Sequence, residues 1–121
     1  MQHLLIVDGH AGVREALTRR LWQVYIVTAV DSLEAAREVL RHLSPAAVLV
    51  DPRTIAGRTE EVLAALRHAG RPLIVLTSSL FDGEEERLQR GGAAAILLKG
   101  RPLTELVAQI EEAIGEAAPV L

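Results

Sequence analysis

Five short apolar runs alternate with amphipathic helical patterns along the whole chain, and that alternation restricts the folds open to it. The runs are Leu4-Leu5-Ile6-Val7, Tyr25-Ile26-Val27, Ala47-Val48-Leu49-Val50, Leu73-Ile74-Val75-Leu76 and Ala95-Ile96-Leu97-Leu98. Each is rich in Val, Ile and Leu and lacks polar residues on either face, as strands buried on both sides require. Between them the apolar residues fall at three-to-four spacing. The stripes are Val13 to Trp22, Ser32 to Leu43, Thr59 to Arg67, Glu84 to Gln89 with Leu88 inward, and Leu103 to Ile114. Each can bury one helix face. Asp31-x-x-Glu34 and Asp82-x-x-Glu85 read as capping boxes, and Pro102 suits the first turn of the last helix. Five β–α units in sequence predict an α/β fold, a parallel sheet with helices on both faces.

At 121 residues the chain has the size of one domain and can build its core without staples. Residues 115–121 read as a C-terminal tail or the start of a linker. There is no cysteine, which excludes disulfides, thiolate metal sites and cysteine nucleophiles; a cysteine-free domain of this kind fits the cytoplasm. A net charge of -3 gives no basic surface for nucleic acid, and aromatics at 2% leave no stacking platform for single strands. No apolar stretch reaches the length of a membrane span.

In an open parallel sheet, ligands bind beyond the carboxyl ends of the strands. The residues that follow the runs are Asp8, Asp51, Thr77-Ser78 and Lys99. Of the four aspartates, Asp31 and Asp82 are assigned to helix caps. Asp8 and Asp51 remain, each ending a buried strand, where an unpaired carboxylate is costly. Among thirteen Lys plus Arg residues Lys99 is the one lysine, which points to a place that needs a compact ammonium and not a guanidinium fork. His3, His42 and His68 form no cluster, and nothing in the chain indicates a catalytic enzyme. Trp22 and Tyr25 are expected to cover the end of the first helix, Leu80-Phe81 to enter the core, and Glu84-Glu85-Glu86 to be a solvated helix start.

These residues together resemble the receiver domains of two-component response regulators. The resemblance spans the chain. It is carried by Leu5-Ile6-Val7-Asp8-Gly9-His10 with Val13-Arg14-Glu15-Ala16-Leu17, by Pro45 to Asp51, by Val75-Leu76-Thr77-Ser78, and by Gly92-Ala93 with Leu97-Leu98-Lys99. The first and last segments are most similar to receivers that precede LuxR-like output domains. The resemblance implies a flavodoxin-like, doubly wound sheet of five parallel strands with five helices. It implies that Asp51 accepts a phosphoryl group from a sensor histidine kinase or phosphotransfer protein. Thr77 would hydrogen-bond that group, and Lys99 would pair with Asp51 before transfer and with phosphate after it. Mg²⁺ would be held by Asp8, Asp51 and the backbone carbonyl of Arg53. A stand-alone receiver and the amino-terminal piece of a longer regulator are both open; for a longer regulator the resemblance implies a C-terminal DNA-binding output domain, with homodimerisation through the last helices a further option and no direct contact of this domain with nucleic acid.

Four positions depart from the family pattern. Gly9 stands where a second acidic metal ligand is usual, so Mg²⁺ is expected to bind weakly. The loop Pro52-Arg53-Thr54-Ile55 lacks the usual Met-Pro pair. Within it, the Arg53 guanidinium either reaches the carboxylates in place of metal charge or is an exposed loop arginine. Ile96 replaces the switch aromatic, and Gly100 the proline that often follows the lysine. An alternative reading is therefore a degenerate receiver that is not phosphorylated and serves as a protein-interaction module. A cobalamin or flavin binder on the same fold is a third reading. It is disfavoured because Asp8-Gly9-His10-Ala11-Gly12 places its glycine one residue early and no phosphate loop follows the first strand.

Overall fold

A computed structural model describes residues 1–67 and 71–117. His68, and residues 118–121 of the expected tail, lie outside the described residues. The strands are β1 (His3–Val7), β2 (Ile26–Val30), β3 (Ala47–Val50), β4 (Leu73–Thr77) and β5 (Ala93–Leu98). The helices are α1 (Ala11–Leu21), α2 (Leu33–His42), α3 (Thr59–Leu66), α4 (Glu84–Arg90) and α5 (Leu103–Ala117), with a 3₁₀ turn over Pro52–Thr54. All strand pairs are parallel, and the order in the sheet is β2-β1-β3-β4-β5. This is the doubly wound flavodoxin-like architecture.

The period-two alternation of each strand divides the core into two layers. Leu4 and Ile6 of β1 face α1 and α5, where Leu17, Leu21, Leu106 and Ile110 pack. Leu5 and Val7 face the other side, where Ala36, Val62, Leu63, Leu66 and Leu88 come from α2, α3 and α4. Tyr25 sits at one end of the first layer and donates its hydroxyl hydrogen to Glu111 Oε2 of α5 at 2.6 Å. Burial pushes its phenol upward, and the Glu111 carboxylate adds to that shift.

Several local expectations are corrected. β2 begins one residue later and runs three residues further than its apolar run. It is an edge strand of intermediate burial, so Thr28 is tolerated within it and hydrogen-bonds His3 Nε2 at 2.7 Å. The capping boxes do not form as expected. The cap of α2 is Ser32, whose side chain accepts from the Ala35 amide, and Asp31 is exposed. At α4 the cap position is Gly83 at φ 78, a left-handed conformation that favours glycine over Asp82. There the Glu84 carboxylate reaches back to the Phe81 amide, at 3.2 Å. Trp22 does not cover α1: it is 63% exposed, whereas Tyr25 is buried. Phe81 is 69% exposed and not in the core, although Leu80 packs partly against it. α5 continues through Gly115 to Ala117, beyond the expected start of the tail.

Candidate functional site

The parallel ladder extends one residue past three strands and so fixes the site backbone. The Asp8 amide donates to Val30 O, the Asp51 amide to Val7 O and the Lys99 amide to Thr77 O. Strand order places β1, β3 and β4 side by side, with β5 beside β4. The residues that follow these strands therefore meet above the middle of one sheet edge. Asp8, Asp51 and Thr77 are the buried polar side chains among the described residues.

Lys99 joins the two aspartates. Its Nζ lies 2.8 Å from Asp8 Oδ2 and 2.5 Å from Asp51 Oδ2. The other carboxylate oxygens are held by the backbone. Asp8 Oδ1 accepts from the His10 amide at 2.8 Å, and Asp51 Oδ1 accepts from the Arg53 amide at 3.1 Å. Burial alone would lower the Lys99 ammonium, but its hydrogen bonds to Asp51 and Asp8 outweigh that and hold it above the usual lysine value. Two carboxylates against one ammonium leave the cluster one negative charge in excess. The expectation that Lys99 pairs with Asp51 is thus realised in the geometry, and the same ammonium also pairs with Asp8.

Thr77 ends β4, and its hydroxyl donates to Ser79 O at 2.8 Å while accepting from Arg53 Nη1 at 3.1 Å. Arg53 is exposed, as one of the two readings has it, but its guanidinium is engaged by other groups of the protein. Its guanidinium turns away from the aspartates and spans the β4–α4 loop. Nη1 also donates to Ser79 O at 3.1 Å, Nη2 pairs with the Glu84 carboxylate, and the guanidinium carbon lies 5.1 Å from the Phe81 ring centroid. The hydrogen bond from Arg53 holds Glu84 below the usual carboxylate range. Sequence reading missed this role for Glu84 and Phe81, because their partner lies about thirty positions earlier in the chain.

Thr54 was also missed. Its hydroxyl donates to Asp51 O at 2.9 Å and accepts from the Gly9 amide at 2.8 Å. The loop after β3 is thereby fastened over the loop after β1. A Cβ built on Gly9 would stand 2.1 Å from Thr54 O. The position of the absent second acidic residue is filled by backbone.

These observations describe the surroundings of the expected Mg²⁺. The ion prefers an octahedral oxygen shell. Here the available carboxylates are Asp8 and Asp51 alone, the ammonium of Lys99 lies between them, and Thr54 O closes the place of a third. Among the described residues no group of three or more His, Asp or Glu side chains gathers as a ligand set. Mg²⁺ held by Asp8, Asp51 and the Arg53 carbonyl would share the two carboxylates with the Lys99 ammonium. The groove above the aspartates is lined by His10, Thr54, Ser78 and Lys99.

A parallel sheet of this order, with two buried aspartates, a threonine and a lysine at its carboxyl edge, is the arrangement that the resemblance to receiver domains implies. No family model matches the chain. It is 34% identical over 115 residues to the response regulator GacA of Pseudomonas protegens, a match covering 91% of this chain and 54% of that protein. The chain spans about half the length of the curated relatives it matches. Full-length FixJ from B. japonicum superposes with a TM-score of 0.85 at 26% identity, over 98% of this chain and 60% of that one. The chemotaxis response regulator CheY4 of Vibrio cholerae, at 18% identity, matches the fold with a TM-score of 0.81 over 93% of this chain and 98% of that one. The chain's homologues are thus response regulators, and its structural neighbours are CheY-like receiver domains. No described helix is long and apolar enough to cross a membrane.

Proposed function

We propose that this domain is a phosphorylation switch in which Asp51 accepts a phosphoryl group from a phosphohistidine of a sensor kinase or phosphotransfer protein in the cytoplasm. The observation that carries this reading is the Lys99 ammonium held 2.5 Å from the carboxylate of Asp51, at the floor of a groove open to solvent. A carboxylate oxygen of Asp51 attacks phosphorus, the P–N bond of the donor breaks, and the imidazole leaves with a proton. The product is an acyl phosphate on Asp51. Catalysis here consists of positioning and charge compensation. Lys99 supplies the positive charge next to the acceptor, and its contact with Asp8 keeps it aimed there. Thr77 supplies a hydroxyl at the end of the neighbouring strand. In a longer regulator, an output domain such as a DNA-binding segment would read the state of Asp51.

The second reading, an interaction module that is not phosphorylated, is favoured by the fastening of Thr54 over Gly9. The two readings separate on one chemical test. Protein treated with phosphoramidate and then reduced with borohydride is digested and mapped by mass. Wild-type protein is expected to carry homoserine, the reduction product of an acyl phosphate, at position 51, and Asp51→Asn to carry none. Absence of homoserine in the wild type favours the interaction module.

A further inference from the structure

Resting on the acceptor role of Asp51, we propose that Arg53 is the residue that reports the state of Asp51 to α4. It would do the work that an aromatic residue at position 96 cannot do here. Ile96 is a half-buried aliphatic packed against the second core layer, with no polar atom to follow a charge. Arg53 has links to both sides. Its amide donates to Asp51 Oδ1, while its guanidinium binds Thr77 Oγ1, Ser79 O and Glu84 and lies over Phe81. Asp51, Arg53, Thr77 and Glu84 wall one small cavity.

The hydrogen-bond inventory makes this arrangement bistable. The Thr77 hydroxyl has one proton, given at rest to Ser79 O. To donate to a phosphoryl oxygen on Asp51 it must give up Ser79. An acyl phosphate carries roughly two negative charges where the Asp51 carboxylate carried one, so the site gains about one negative charge and three strong acceptors. The Arg53 guanidinium, whose side chain is 37% exposed, then has a stronger anion within its own cavity than Glu84. As it turns inward, Ser79 O loses a donor, Glu84 loses its cation and the Phe81 ring loses its cover. The segment from Ser79 to Glu84 is loosened in one step. The exposed aromatic Phe81 and the acidic start of α4 thus form the surface that changes.

Hydrogen exchange at the Phe81 and Glu84 amides, which donate to Glu84 Oε1 and Phe81 O, tests the coupling, with phosphoryl occupancy measured by intact mass on the same samples. Wild-type exchange there is expected to rise about fivefold on phosphorylation, the weight of a partly exposed charged hydrogen-bonded group. Arg53→Ala, and Arg53→Lys, which keeps charge but not the fork, are expected to exchange about fivefold faster already at rest. Neither should show a further rise at matched occupancy. A merely structural arginine would raise the resting rate and leave the rise on phosphorylation intact, and that result overturns the proposal. So does an occupied wild-type Asp51 with unchanged exchange. Wild-type protein that takes no phosphoryl group fails in the mass measurement, which removes the acceptor role and the coupling with it.

Discussion

With Lys99 replaced by alanine, the domain is expected to lose about 3–5 kcal/mol of stability at neutral pH, the cost of removing one partner from a buried ion pair. The reason is where the two carboxylates are left. The Asp8 side chain has no exposure and that of Asp51 is 6% exposed, while Lys99 is 16% exposed between them. Without the ammonium, two buried negative charges face each other with only backbone amides for compensation. The loss is read as a lower denaturant midpoint at unchanged slope. A loss below about 1 kcal/mol, typical of a surface pair, would contradict the geometry. The pH dependence has a definite sign. The Lys99 ammonium is held above its ordinary value despite burial, because its hydrogen bonds to Asp51 and Asp8 outweigh desolvation. Its stabilising contribution is therefore fully present below the unfolded lysine value, about 10.4. It is lost as pH rises through the higher folded value. The gap between wild type and Lys99→Ala should be constant around neutrality and close in strongly alkaline solution.

Restoring the family's second acidic residue, Gly9→Asp, is expected to destabilise the domain and not to rebuild a metal site. Any Cβ at position 9 meets Thr54 O at 2.1 Å, a backbone atom that no change of rotamer can move. The cost is about 2–4 kcal/mol, from overpacking plus the loss of the Gly9–Thr54 hydrogen bond. Gly9→Ala shares the clash without the charge and should show most of the same loss. Titration with Mn²⁺, followed as broadening of the amide signals around Asp8 and Asp51, is expected to show no site-selective binding in the wild type. Selective broadening there, or a Gly9→Asp variant as stable as the wild type that gains it, would show that the loop after β3 yields freely.

What could be read in the sequence follows from how each feature is encoded. Asp8, Asp51, Thr77 and Lys99 were legible because each directly ends a continuous apolar run. Parallel strands buried on both faces write such runs plainly. β2 was placed early because an edge strand needs no such run, and Thr28 interrupts it. The strand order came from family resemblance, since alternation alone does not order strands. The caps failed for a local reason: Ser32 and Gly83 each stand next to an aspartate at equally good spacing, and backbone conformation chose between them. Arg53 was noticed, but its direction depends on Glu84 and Phe81, which only the fold brings to it. Thr54 carries no motif. Its role arises from one hydroxyl bridging two loops, and no periodicity records that.

The central claim is that Asp51 takes up a phosphoryl group, and intact mass of the whole protein after incubation with acetyl phosphate tests it most directly. The expected result is a single phosphoryl adduct on wild-type protein, absent from Asp51→Asn. No adduct on the wild type, or an adduct that survives in Asp51→Asn, would contradict it.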